Sequence, residues 1–344
     1  MSEMSETNEI TKELKIGIIG LGGISVVHID AYNQLKNEGY RVSLEAGCDI
    51  RQAQLEGFCG ERKYQKIDEF MEAEKGRLDV VNICLPTFLH CETTIKALEC
   101  GFHVVVEKPM ALSYEDCVKM CEAAKRANKL LMVAQCVRFS DFIQSVRRYM
   151  NDGTFGPVKT ACFKRDGGPP RWGWENWFLK KEMAGGALLD LHVHDVDALQ
   201  YLFGMPESVS SGAAEIIPGD GYDIVSTNYY YPNGFFAHST GDWTMDNNVY
   251  YNRLMRVDFE RGYIIEAYFG DRGVFRAMGT DGSATELSPA NPKSDYYKEI
   301  KYFIDCLHSG SPVSECPPES SAQSIRIALT EAMSAGKNGE RLYL

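Results

Sequence analysis

The feature that most constrains this chain is a short apolar run, Leu14 to Ile19, ending in Gly20-Leu21-Gly22-Gly23-Ile24-Ser25 and followed by a mixed stretch from Val26 to Leu35. It reads as a buried strand, a glycine turn and a helix. Glycines at Gly20 and Gly22 let a strand turn tightly into a helix whose free N–H groups and dipole can hold a pyrophosphate. Taken alone, the loop is equally a bare strand-to-helix turn. A second strand, Val42 to Cys48, closes on Asp49, with Ile50 and Arg51 behind it. Asp49 could accept hydrogen bonds from the adenosine ribose hydroxyls and repel a 2'-phosphate, which favours NAD. It could also be a helix N-cap. Arg51 could accommodate the phosphate, so NADP stays open.

The runs Asp79 to Leu85, His103 to Val106 and Leu130 to Ala134 are too apolar to be half exposed, and helical patterns at Thr93 to Cys100 and Ser113 to Asn128 lie between them. Strands buried on both faces and alternating with helices predict a doubly wound parallel sheet. Beyond Arg138 the pattern changes to short strands joined by turns: Val158 to Arg165, Ser208 to Ile216, Asp223 to Tyr231, Phe235 to Trp243, Leu254 to Glu260 and Tyr263 to Phe269. Helices are expected at Ala187 to Leu202, Tyr296 to Leu307 and Glu319 to Ala335. The expected fold is therefore α/β: a disordered start over residues 1–13, a Rossmann-type domain over 14–137, and an α+β domain with a large, open, mostly antiparallel sheet over 138–344.

A formal charge of -12 argues against nucleic acid or an anionic membrane as the main partner, since both need a basic surface. The polar start has no apolar leader segment, and no later stretch is long and apolar enough to span a bilayer. The eleven cysteines form no C-x-x-C pair and read as reduced thiols. A cytoplasmic protein is the expectation.

Three further motifs carry chemistry. Leu85-Pro86-Thr87 with His90 follows a buried strand, at the strand end where ligands collect in such sheets. Glu107-Lys108-Pro109 ends the next one, placing a lysine at the rim of the same crevice. The segment from Gly185 to Asp197 packs Asp190, His192, His194, Asp195 and Asp197 beside an aliphatic run. If it is helical, Asp190, His194 and Asp197 share a face and form a proton-handling set. If it is extended, Asp190, His192 and His194 share a face and resemble a metal site.

The glycine loop, Pro86-Thr87 with His90, Glu107-Lys108-Pro109 and Gly185-Gly186-Ala187-Leu188-Leu189-Asp190-x-x-x-His194-x-x-Asp197 occur in the order and approximate spacing of the Gfo/Idh/MocA oxidoreductases, and the chain resembles that family from Leu14 onward. The resemblance implies a Rossmann domain with a cofactor groove at Gly20, Gly22, Gly23, Ile24, Asp49, Ile50, Arg51, Leu85, Pro86, Thr87, His90, Glu107 and Lys108. It implies a catalytic set of Lys108, Asp190 and His194 and no metal. It further implies NAD(P)-linked oxidation of a secondary hydroxyl on a sugar, cyclitol or glycoside, and homodimers or homotetramers associating through the C-terminal sheet. Candidate substrate contacts are Arg138, Arg165, Trp172, Trp177 and His192, with Lys164, Asp166, Tyr250 and Tyr251 as further strand-borne candidates. Tryptophan faces commonly stack on sugars or on a nicotinamide, although a hydrophobic lid or subunit contact fits the Trp-rich segment as well.

The resulting expectation has His194 taking the hydroxyl proton, Asp190 orienting its ring and Lys108 hydrogen-bonding the reacting oxygen. The alternatives are a redox-neutral NAD-dependent glycosidase on the same fold, a zinc hydrolase built on His192-x-His194-Asp195, and a catalytically silent dinucleotide sensor.

Overall fold

The computed structural model describes residues 12–219, 221–246, 252–269, 272–288, 291 and 293–344. Nearly all of the expected disordered start, and both Tyr250 and Tyr251, lie outside the described residues.

The first half runs β1 (Leu14–Ile19), α1 (Gly23–Asn37), β2 (Val42–Cys48), α2 (Gln52–Gly57), β3 (Arg62–Tyr64), α3 (Ile67–Glu74), β4 (Val80–Ile83), α4 (His90–Glu99), β5 (His103–Glu107), α5 (Tyr114–Ala127) and β6 (Leu131–Ala134). These strands form a six-stranded parallel sheet in the order β3-β2-β1-β4-β5-β6. Helices cover both faces, so β4 and β6 are buried at every position. The order reverses between β1 and β4, and the crevice at their carboxyl ends is where such sheets take ligands. Gly20 makes that crevice possible: its φ is +88°, and a Cβ there would lie 2.4 Å from the Cys84 carbonyl oxygen. Only glycine fits.

The second half continues with α6 (Asp141–Asp152), β7 (Val158–Asp166), α7 (Lys181–Ala184), α8 (Val193–Phe203), β8 (Ser208–Ala214), β9 (Ile224–Tyr230), β10 (Phe236–Asp242), β11 (Asn252–Phe259), β12 (Gly262–Phe269), β13 (Arg272–Gly279), β14 (Ala284–Glu286), α9 (Asp295–Ser309), α10 (Pro318–Gly336) and β15 (Leu342–Tyr343). Its nine-stranded sheet has the order β14-β13-β12-β11-β7-β10-β9-β8-β15. Neighbours are antiparallel except β7 and β10, which run parallel. The expected architecture, a parallel Rossmann sheet followed by a mostly antiparallel one, is the one observed.

The structure departs from the sequence reading, which named no element at β3, α6, β13, β14 or β15. The expected helix from Ala187 opens as a wider π-helical turn, Leu188–His192, before α8 begins. The chain end also returns to the first half: α9 packs on α1 and puts Ile300, Phe303 and Ile304 into one cluster with Ile16, Ile18 and Leu35. Among the described residues no helix is long and apolar enough to cross a membrane.

Candidate active site

The groove begins at the glycine loop. Gly22 caps α1 without a side-chain hydrogen bond, and no acid occupies the first turn, so the N–H groups there remain available to an anion. Cβ atoms added at Gly22 or Gly23 would meet nothing closer than Arg51 Nη2 at 3.8 Å or Trp172 Cζ3 at 3.9 Å. That open cradle fits a dinucleotide diphosphate. Asp49, at the end of β2, accepts the Leu21 N–H at 2.9 Å and the Arg51 N–H at 2.8 Å, and is paired with the Arg51 guanidinium. Ile50 is exposed beside it.

At the far end of the groove β5 delivers Lys108 to Asp190. Lys108 Nζ donates to Asp190 Oδ1 at 2.9 Å and to the Asp190 carbonyl at 2.8 Å, and the Lys108–Pro109 peptide is cis. Gly185 starts the turn that carries Asp190, with φ +81° and no room for a Cβ, which would lie 2.5 Å from Leu189 Cδ1. Burial works against the Lys108 charge, but Asp190 and Glu107 outweigh it and raise its pKa above the ordinary value. Burial, followed by the positive charges of Lys108, Arg165 and Arg253, pushes His194 well below the ordinary imidazole pKa.

Several expectations need correction. Asp190 does not hydrogen-bond His194. The π turn takes i and i+4 out of alignment, Asp190 is committed to Lys108, and His194 Nδ1 is buried without a hydrogen-bond partner among the described residues. The side chain is partly exposed, and no hydrogen bond to its Nε2 is formed among the described residues. Glu107 faces inward rather than lining the groove: Oε1 lies 2.7 Å from His28 Nε2 and Oε2 accepts the Lys108 N–H at 3.0 Å. His90 is also interior, with its ring nitrogens 2.8 Å from the Leu85 carbonyl oxygen and 2.9 Å from that of Pro109, so it ties the Leu85-Pro86-Thr87 turn to the lysine loop.

Three proposed substrate contacts belong to the core. Arg138 is buried and forks onto Asp197 at 2.7 and 2.6 Å, with a third bond to the Glu315 carbonyl. Arg165 is buried against Asp195 at 2.5 Å. His192 is buried with Nε2 3.1 Å from the Tyr229 hydroxyl and 3.0 Å from Glu331. Among the described residues, the group able to hold a metal ion contains neither His192 nor His194. Trp177 stacks on Phe178, whereas Trp172 is exposed and lies against Gly23.

The sequence reading missed two groups. Beneath Lys108, His28, Glu107 and Glu299 bring ligand-type atoms within 4.8 Å of one another. His28 Nε2 and Glu107 Oε1 are hydrogen-bonded at 2.7 Å, whereas both Glu299 oxygens are buried without a partner among the described residues, and burial, then Glu107 and Asp295, push its pKa well up. A charged residue on the apolar face of α9 was the available signal. The second is a cavity of about 420 Å³ lined by Arg253, Glu266, Tyr268 and Asp295, among others, and Arg253 is one of the cations whose charge acts on His194.

The residues fit known proteins. Residues 14–135 match the model of the oxidoreductase family with an NAD-binding Rossmann fold, and residues 143–265 match the GFO/IDH/MocA C-terminal domain. The chain is 35% identical over 178 residues to the 2,7-anhydro-N-acetylneuraminate hydratase of Escherichia coli (strain K12), covering 48% of this chain and 45% of that one. It is 33% identical over 207 residues to the D-glucoside 3-dehydrogenase of the same organism, covering 58% and 57%. The chain thus spans about half the length of these relatives. The myo-inositol 2-dehydrogenase of Thermotoga maritima is 29% identical over 345 residues, covering 95% and 96%. A solved levoglucosan dehydrogenase, complexed with NADH and levoglucosan, superposes with a TM-score of 0.82 at 21% identity, covering 96% and 99%. With its glycine loop, Glu-Lys-Pro turn and Asp-x-x-x-His segment assembled around one groove, the chain belongs to the Gfo/Idh/MocA oxidoreductase family and carries that family's NAD-binding Rossmann domain.

Proposed function

We propose that the protein is a dehydrogenase that oxidises a secondary hydroxyl of a sugar, cyclitol or glycoside, with NAD as the preferred cofactor. The observation that carries this reading is the juxtaposition of a cationic Lys108 with an uncharged His194 beside the groove. Nicotinamide, when bound, supplies the hydride acceptor. His194 Nε2 takes the hydroxyl proton, because it is free and kept neutral. Lys108 has three N–H donors, of which two are committed to Asp190. The third meets the substrate oxygen as its negative charge develops. Asp190 acts through Lys108. Arg253, Glu266 and Asp295 offer donors and acceptors suited to polyol hydroxyls, and the dehydrogenase relatives act on compounds of that class.

The experiment is a panel of inositols, aldoses and glycosides scored by NADH absorbance with NAD and NADP in turn. Net NADH with at least one polyol supports the reading. Free sugar or a hydrated product without net reduction favours the second reading, a redox-neutral cycle, for which the hydratase relative is the specific support. The open sheet face is proposed as the subunit contact, and sedimentation of a dimer or tetramer would support it.

The pKa directions set the pH profile. Protonated His194 cannot accept a proton, and its pKa lies below 6.5, so kcat/KM should hold as pH falls through 6.5 and decline only below it. An acid limb at or above that pH would contradict the assignment. Cofactor choice is tested by Asp49→Asn, which keeps an acceptor for the Leu21 N–H but removes the charge that repels a 2'-phosphate. The NAD-to-NADP ratio of kcat/KM should fall by about 10-fold.

A further inference from the structure

The segment from Arg171 to Ala184, contributed by the second half, lies across the groove of the first. Trp172 meets the glycine loop at Gly23, while α7, at the other end of the segment, packs against the turn Thr87–Leu89. A dinucleotide running from Asp49 past the glycine loop to Lys108 would pass beneath this span.

Trp172 is 73% exposed, more than any other large hydrophobic side chain described. An indole left so open costs hydration free energy unless something covers it. It is nevertheless held in place, its ring 4.6 Å from that of Phe178, which stacks on Trp177 at 3.8 Å. Gly173 lets the chain approach closely, since a Cβ there would lie 2.6 Å from Phe178 Cδ2. The same segment holds two consecutive left-handed non-glycine residues, Glu175 at φ 50° and Asn176 at φ 52°. Such backbone strain persists only where its surroundings enforce it, and it concentrates at ligand clamps.

We propose that Trp172 is a clamp on the dinucleotide, its indole covering the open side of the glycine loop so that the cofactor leaves only when the 171–184 segment lifts. This rests on the NAD-binding reading above and adds that the chain retains its cofactor between turnovers. The covered element is the ribosyl-diphosphate stretch next to Gly22 and Gly23. The indole contributes apolar contact there and excludes water from the diphosphate, while the α1 N-terminus contributes the charge complement.

The test is stopped-flow release of NADH from the full-length protein, together with energy transfer from tryptophan to bound NADH. Trp172→Ala should release NADH about 10-fold faster and lose most of the transfer, a size set by the worth of one aromatic stacking contact. Trp172→Phe should fall between it and the wild type, and Trp174→Ala should release NADH at the wild-type rate. If Trp172→Ala releases NADH within twofold of the wild-type rate, the clamp is overturned while the NAD reading stands. If the wild type fails to bind NADH, both are overturned.

Discussion

Replacing His194 by alanine should lower kcat by about 10²- to 10⁴-fold while leaving NADH binding intact, because the ring is assigned the hydroxyl proton and no part of the cofactor groove. Lys108→Ala should cost a comparable factor, since it removes the one donor left for the developing oxyanion. The two losses should not add, as both residues act in one step and burial, then the Lys108 charge, holds the His194 pKa down. Near-wild-type turnover in either variant would remove it from the mechanism. In Asp190→Asn the amide can still accept from Lys108, but the carboxylate charge that raises the Lys108 pKa is gone. Its effect should therefore appear mainly as an earlier alkaline limb.

The second large effect concerns stability. Arg138→Ala should lower the free energy of unfolding by about 3–5 kcal/mol, because it strands the Asp197 carboxylate, which is buried at 1% exposure. Among the described residues Asp197 would keep one partner, Ser324, whose hydroxyl donates to it at 2.8 Å. The double variant Arg138→Met, Asp197→Leu should recover much of the loss, since it removes both desolvated charges and fills the space with apolar volume. Denaturant unfolding measures both. If Arg138→Ala instead keeps full stability and raises KM for a polyol, Arg138 belongs to the substrate site after all.

These two cases mark where the sequence was legible. The glycine loop, the buried strands and the Glu-Lys-Pro turn are local: strand period, turn chemistry and a lysine at a strand end can be read from neighbouring residues. The expected boundaries of the C-terminal strands that are described, such as Asp223 to Tyr231 for β9, fall within about two residues of those observed. Partnerships across the chain were not legible. Arg138 and Asp197 are separated by 59 positions and Arg165 and Asp195 by 30, so isolated charges near apolar runs read as ligand contacts when they are paired core groups. His192 failed in the same way, because its partners Tyr229 and Glu331 come from β9 and α10. Asp190 was misread for a different reason. The i and i+4 spacing presumes 3.6 residues per turn, and the π turn at Leu188–His192 breaks that assumption within one residue step of the site. Glu299 could have been noticed, as a carboxylate among Tyr297, Ile300, Phe303 and Ile304 on the buried face of α9.

Both functional readings, net oxidation and the redox-neutral cycle, require the carbinol hydrogen of the substrate to reach the nicotinamide. The most direct test is a single turnover with enzyme in excess over NAD, using myo-inositol, glucose and methyl glucoside each deuterated at the carbinol carbons. The reaction is quenched at successive times within that turnover, because a redox-neutral cycle returns the label at its end, and the nicotinamide recovered at each time is analysed by mass spectrometry. Deuterium in the nicotinamide from at least one of these substrates, lost when His194 or Lys108 is replaced by alanine, is the predicted result. A nicotinamide free of deuterium with all three, from protein shown to bind NAD, would contradict it.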